Sequence, residues 1–234
     1  MEPRPETRPD DRGRALRTPR AAGTAGIVFA LLLAAAMVMI RLAIPSEPGT
    51  GSGEWLTDPS RRRTVRAALE LVPFAGISFL WFMGAVRARI GDAEDKFLAT
   101  VFLGSGLVFV ATLFGAAAAA GSLLATAGSS GAEPGGQLWV FGGHFTYGLL
   151  TTYAMRMAAV FIFSTSAIGH RLGVLPRPLT VLGALTGLTL LFVTNSVAWS
   201  ELVFPLWALG VGLHILVVGA AGPPGQAVTP SVRR

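Results

Sequence analysis

The sequence predicts an all-α fold, a polytopic membrane bundle of six transmembrane helices with both chain ends in the cytoplasm. Three observations favour it. The 234 residues are 52% hydrophobic and only 14% charged, with a mean hydropathy of +0.58, whereas a soluble domain carries about 25% charged residues. Six apolar runs approach the roughly 20 residues that cross a bilayer. The basic residues gather in the tails and at the ends of these runs.

Charge and composition exclude several function classes. A net charge of +6 could attract nucleic acid, but no soluble stretch interleaves basic and aromatic residues, so we expect no nucleic-acid partner. The chain has no cysteine, which excludes a disulfide, a thiolate metal site and a thiol nucleophile. We expect no cofactor and no metal. The expected partner is the lipid bilayer of the cell membrane. Two further interactions stay open, a homo-oligomer and a complex with a membrane partner protein.

The first helix is predicted at 23–44, after a basic, proline-rich tail at 1–22 that we expect to be disordered. A basic tail before an apolar run also fits a secretory signal peptide. A cleavage site needs small residues, however, and the end of this run offers Arg41 and then Ile44-Pro45. We therefore expect an uncleaved first helix.

The second helix is predicted to begin before its apolar span at 67–86. Asp58 fits an N-cap, and Pro59 fits the first helical position, where its missing N–H costs no hydrogen bond. Four arginines then fall on the first two turns: Arg61, Arg62, Arg63 and Arg66. Glu70 lies inside the apolar span itself.

The other four spans are predicted at 97–125, 144–169, 179–193 and 199–218, with a Gly-rich loop at 129–143 between the third and the fourth span. Asp92 is the predicted N-cap of the third helix. The alanines at 116–120 remove side-chain bulk from this helix and permit close packing with a neighbour. Gly183 and Gly187 form a G-x-x-x-G pair, which favours helix contact in the fifth span. Residues 221–234 form a predicted flexible tail.

The distribution of basic residues predicts the orientation. With both ends in the cytoplasm, the cytoplasmic segments carry thirteen basic residues and the opposite side carries five, as the positive-inside rule expects. Trp55, Trp139 and Trp199 shortly precede the second, fourth and sixth spans. Tryptophan favours the membrane interface, so these positions agree with the same topology.

Arg156, near the middle of the fourth span, is the candidate centre of an intramembrane polar site. An arginine at a helix centre costs about 2.5–3.5 kcal/mol, so we expect it to face inward and to have a partner. Thr152 and Tyr153 fall beside it at helical spacing. Glu70 and Glu201 are the anionic candidates, and both belong to the outer ends of their spans.

Two interpretations of this site stay open. It is either a pocket for an anionic or zwitterionic small molecule, as in a transporter, or an ion pair that fixes helix packing. Asn195 and His214 are weaker members. His214 fits a proton relay, since its ordinary pKa is near 6.5, or a neutral side chain bonded to a neighbouring helix.

One stretch carries a family resemblance. Residues 73–106, PFAGISFLWFMGAVRARIGDAEDKFLATVFLGSG, resemble the core between the second and third helices of uncharacterised multi-pass bacterial membrane proteins. The resemblance covers about a seventh of the chain. It implies a helical membrane fold and no activity.

The leading functional hypothesis is an integral membrane protein that acts as a structural, sensing or accessory component without chemistry of its own. The alternative is a small transporter or solute-binding protein that uses the Arg156 region. A membrane enzyme acting on lipid is disfavoured, because no nucleophile with a base and no metal cluster is visible. We therefore expect that the chain is not an enzyme.

Overall fold

Every regular element of the structure, a computed structural model, is a helix. It describes residues 18–43, 58–90, 96–128, 137–194, 197 and 199–220, and no strand occurs among them. The elements are α1 (Thr18–Ala43), α2 (Pro59–Ile90), α3 (Lys96–Gly128), α4 (Gln137–Tyr147), a π-helical stretch (Gly148–Ala154), α5 (Met155–Arg171), α6 (Arg177–Phe192), a short 3-10 helix (Ser200–Leu202) and α7 (Val203–Ala220). The all-α prediction is confirmed for these residues.

The start of α2 confirms the predicted cap. The Ser60 backbone N–H and the Ser60 hydroxyl each donate to Asp58 Oδ1 at 2.8 Å, and Pro59 is the first helical residue. The side-chain hydrogen bond from Ser60, followed by the backbone one, lowers the pKa of Asp58 below its ordinary value. Asp58 therefore caps the helix as a carboxylate at neutral pH. Asp92, the other predicted cap, lies outside the described residues.

Two helices begin earlier than predicted. α1 starts at Thr18 rather than at residue 23, which is compatible with Pro19 because the first helical turn tolerates proline. The fourth predicted helix starts at Gln137 rather than 144. Gly142 belongs to that helix, where a Cβ atom would lie 2.5 Å from the Leu123 side chain. The glycines here permit a close helix contact, whereas the sequence suggested a loop.

The helices form a closed ring. α1 packs against α2 and α7; α3 packs against α2 on one side and against α4, the π-helical stretch and α5 on the other; α6 joins α5 and α7. Five phenylalanines fill the centre: Phe29, Phe79, Phe109, Phe161 and Phe204, each fully buried. Most of their ring contacts are tilted or edge-to-face, with centroids 4.8–6.4 Å apart, which is the geometry that aromatic pairs prefer.

Neighbouring helices around the ring run in opposite directions. Along α1 and α2, Gly26 lies against Phe82 and Phe29 against Phe79, so one helix ascends as the other descends. Four more pairs of helices show the same reversal, because the residue number rises along one helix as it falls along the other. The contacts are Gly76–Phe114 and Gly106–Met83 for α2 and α3, Gly142–Leu123 and Phe161–Phe102 for α3 and α4–α5, Ser166–Gly183 and Phe163–Gly187 for α5 and α6, and Gly23–Leu216 and Phe29–Phe204 for α1 and α7. The beginning of α1 and the end of α7 therefore lie at the same end of the bundle.

Helices apolar enough to span a membrane make up most of the described chain. Five stretches meet the length and composition that a crossing needs: Ala21–Ala43, Pro59–Arg87, Lys96–Thr126, Val140–Arg171 and Ser200–Val218. Large apolar side chains such as Trp81 (72% exposed) and Phe192 (76% exposed) cover the outside of the bundle. An apolar exterior of this kind suits lipid rather than water. The chain is therefore a membrane-embedded helical protein.

α6 differs from the other spans in length. It has 16 residues, about 24 Å at 1.5 Å per residue, against a hydrocarbon core of roughly 30 Å. The sixth crossing and the orientation of the chain ends stay predictions. The predicted contacts of its glycines are present: a Cβ at Gly187 would lie 2.7 Å from the Phe163 ring, and one at Gly183 would lie 2.1 Å from Ser166 Oγ.

Candidate functional site

Arg156 lies midway along the Val140–Arg171 span, as predicted, but its side chain is exposed on the outside of the bundle. The expectation of an inward-facing side chain is wrong. The reason is the azimuth of Arg156, that is, the direction in which its side chain leaves the helix axis. At 100° per residue, Arg156 stands about 140° around the helix from Phe161, the residue that fills the core. No ion pair or hydrogen bond joins Arg156 to another described residue.

The residues next to Arg156 belong to the π-helical stretch. Tyr153 is 60% exposed and Thr152 is half-buried. Thr151 is the buried polar residue of this turn, and its hydroxyl donates to the Tyr147 carbonyl at 2.8 Å. π-Helical turns inside α-helices occur frequently at functional sites. Tyr153 and Arg156 are thus exposed near one another, whereas their function stays a prediction.

The two candidate acids are not placed beside Arg156. Glu70 is exposed on α2, and among the described residues no cation lies within 4 Å of it. Glu201 is only 7% exposed and accepts two hydrogen bonds from Arg41, one of them from Nε at 2.9 Å. Glu201 Oε2 is buried and has no hydrogen-bond partner among the described residues. Glu201 therefore pairs with Arg41 rather than with Arg156, and this ion pair joins α1 to the 3-10 helix before α7.

The two weaker candidates are separated from this pair. His214 Nε2 lies 3.2 Å from the Val174 carbonyl oxygen, which accepts its N–H. This bond ties α7 to the turn between α5 and α6. It agrees with a structural role for the histidine rather than with a proton relay. Asn195 lies outside the described residues. Those residues contain no group of three or more side chains able to hold a metal ion.

A cavity of about 340 Å³ lies between the first four helices. Its walls are residues 33–40 of α1, 65–72 of α2, 113–124 of α3 and 143–150 of α4 and the π-helical stretch. On α1 and α2 it extends over seven residues, about 10 Å. It occupies the half of the bundle where α1 ends and α2 begins, above the phenylalanine core.

The alanines of α3 account for this cavity. Ala116, Ala117 and Ala120 line it, where longer side chains would reach across to α1 and α2. The sequence analysis expected close packing with a neighbouring helix at these alanines. The structure differs, because here the missing side-chain volume leaves space between the helices.

The cavity is apolar except on its α4 side. Thr146 lines it, and the Thr146 Oγ1 atom is buried with no hydrogen-bond partner in the part of the chain that the structure describes. Tyr147 and Gly143 line it as well, and both residues are exposed. The cavity therefore borders the protein surface along α4 and offers one unpaired hydroxyl to whatever fills it.

The sequence analysis missed both the cavity and the Arg41–Glu201 pair. The pair was accessible from topology, since Arg41 and Glu201 were each assigned to the outer ends of their spans. The alanine run was the one sequence feature that pointed to the cavity. Two further buried polar atoms were also missed, Ser166 Oγ and Trp207 Nε1. Both lie beside Gly183, and neither has a hydrogen-bond partner among the described residues.

Comparisons of the chain with protein-family models, with curated proteins and with solved structures found no match. The resemblance of residues 73–106 thus has no support beyond those residues. Function has to be argued from the cavity and from the charged residues.

Proposed function

We propose that the chain is a six-span protein of the cell membrane, with both ends in the cytoplasm, that holds the apolar chain of a bilayer lipid between α1 and α4. It acts without catalysis, as an accessory or sensing component. The alternating helix directions support a sixth crossing by α6, because α5 and α7 descend on either side of it. The excess of basic residues at the end where the chain begins and ends supports the orientation.

The cavity is the observation that carries this proposal. Its volume of about 340 Å³ falls within the range of roughly 300–1,000 Å³ that small-molecule sites occupy. An empty apolar cavity costs free energy, since its walls lose their packing contacts. In a bilayer, the molecules at hand to fill it are lipid chains. Its walls extend over about 10 Å of α1 and α2 and about 16 Å of α3, which is close to the depth of one leaflet, half of a hydrocarbon core of roughly 30 Å.

Filling the cavity with a side chain tests the proposal. We expect Ala117→Trp to abolish retention of dioleoyl phosphatidylcholine by the purified protein, measured by native mass spectrometry after delipidation and lipid titration. Ala118→Trp is the matched control, because Ala118 neighbours Ala117 on α3 and is exposed. Equal lipid retention by the two variants contradicts a lipid site in this cavity.

A second candidate function, solute binding or transport at Arg156, is favoured by a separate observation. Arg156 is exposed in mid-span with no described partner and directly follows the π-helical stretch. A homo-oligomer or a membrane partner protein would cover the same charge. If Arg156→Ala lowers the yield of folded protein and Arg156→Lys restores it, the residue is structural. If both variants fold and lose thermal stabilisation by phosphate, succinate or betaine, it binds solute.

Catalysis and nucleic-acid binding form no part of the proposal. Lipid profiles of cells with and without the chain provide the check on catalysis: an enzyme acting on lipid changes them, and an accessory protein leaves each lipid class chemically intact.

A further inference from the structure

The first turns of α2 carry an excess of positive charge directly above the cavity. Four arginines occupy residues 61–66, and Asp58 is the one carboxylate described beside them. The N-terminal end of a helix is itself the positive end of its dipole. The helix start therefore favours an anion, and among the described residues only the Asp58 carboxylate lies within 4 Å of these arginines.

Two of these arginines differ from the others in placement. Arg61 and Arg62 are half-buried, whereas Arg63 and Arg66 are exposed. Val65 lines the cavity, and Arg61 and Arg62 precede it by four and three residues, which places them on the same helix face one turn nearer the helix start. Helical side chains incline toward the helix N-terminus. The two guanidinium groups therefore lie beyond the end of the cavity that faces away from the phenylalanine core, about one helical turn from Val65.

Of these two arginines, only Arg61 has an ion-pair partner among the described residues. Arg61 Nε lies 3.5 Å from Asp58 Oδ2. The Arg62 side chain forms no ion pair or hydrogen bond with another described residue. Guanidinium presents a fork of N–H donors that matches the oxygens of a phosphate. Arg62 is thus an available phosphate donor about one helical turn beyond the wall of a cavity of suitable size for a lipid chain.

We propose that the lipid held by this protein is an anionic glycerophospholipid, with one acyl chain in the cavity and its phosphate on Arg62. The inference rests on the proposed lipid cavity and adds the headgroup class. Thr146 Oγ1, unpaired in the cavity wall, is placed to donate to an ester carbonyl below that phosphate. The net positive charge of the helix start selects an anionic headgroup over a zwitterionic one, whose own cation opposes it.

Matched lipids test the headgroup. Dioleoyl phosphatidylglycerol and dioleoyl phosphatidylcholine have the same acyl chains, and their dissociation constants for the delipidated protein are compared by native mass spectrometry. We expect the wild-type chain to prefer phosphatidylglycerol, and Arg62→Gln to weaken that lipid about fivefold, the equivalent of about 1 kcal/mol per basic residue. Phosphatidylcholine carries a phosphate as well, so we expect Arg62→Gln to weaken it too, but less than phosphatidylglycerol. Arg63→Gln, which removes the same charge from an exposed position, is the control.

The outcomes separate the inference from the proposal on which it rests. If Ala117→Trp abolishes binding of both lipids but Arg62→Gln and Arg63→Gln behave alike, the cavity holds lipid and the headgroup assignment is overturned. If Ala117→Trp changes neither lipid, both fail. If inorganic phosphate alone raises the thermal unfolding temperature through Arg62 and no lipid competes with it, the site binds a free anion and the lipid assignment is overturned.

Discussion

Helix azimuth, more than depth in the membrane, decides which charged side chains meet. The sequence predicted Glu201 as a candidate partner of Arg156, yet Arg156 is exposed on the outside of the bundle and Glu201 is buried against Arg41. The Glu201 side chain is 9% exposed and that of Arg41 is 23% exposed. When an ion pair is largely withdrawn from solvent, removing one partner costs more stability than replacing both.

Removing one member of the Arg41–Glu201 pair should destabilise the protein more than replacing both. We expect Arg41→Met to lower the free energy of unfolding by about 3 kcal/mol, since it leaves the Glu201 carboxylate buried without a counter-charge. The double variant Arg41→Met, Glu201→Met should recover most of this loss. Unfolding of detergent-solubilised protein, followed by circular dichroism, measures both. A double variant as unstable as the single one contradicts the pairing.

Local sequence chemistry predicted the ends and contacts of helices only where a residue type strongly prefers a single structural position. Asp58 and Pro59 predicted a capped helix start, because a side-chain acceptor and a residue without an N–H suit no other position as well. Gly142 failed as a loop indicator, since a glycine in a membrane helix serves equally to admit a neighbour. The π-helical stretch at 148–154 has no comparable sequence cause.

Gly183 provides the corresponding test of an element contact. A Cβ there would lie 2.1 Å from Ser166 Oγ on α5 and 2.9 Å from Trp207 Nε1 on α7. We expect Gly183→Ala to destabilise the protein by about 1–3 kcal/mol, the usual cost of overpacking. At Gly104 on α3, by contrast, nothing lies within 4 Å of an added Cβ. Gly104→Ala should therefore leave the thermal unfolding temperature unchanged or raised, and equal losses in the two variants contradict the α6 contact.

At the scale of the molecule, composition predicted the class and the order of helices, whereas the cavity needed the three-dimensional arrangement. Apolar runs and their basic ends suffice for a membrane bundle, because the bilayer imposes length and polarity on each span. The space beside Ala117 depends instead on how far α1, α2 and α4 stand from α3 in the folded bundle. The sequence of α3 alone does not contain that distance.

Whether α6 crosses the membrane is a question about the whole molecule. Single cysteine substitutions can answer it, because the chain has no cysteine of its own. Single substitutions Arg89→Cys, Gly135→Cys, Val197→Cys and Gln226→Cys are labelled with a membrane-impermeant maleimide in intact and lysed cells. Since helix directions alternate around the ring, we expect Gly135→Cys and Val197→Cys to be labelled in intact cells and the other two only after lysis. If α6 does not cross, the pattern after it reverses: Val197→Cys is shielded and Gln226→Cys is labelled. Labelling of Arg89→Cys in intact cells would instead invert the whole orientation and move the arginines of α2, with the lipid site proposed beneath them, to the cytoplasmic leaflet.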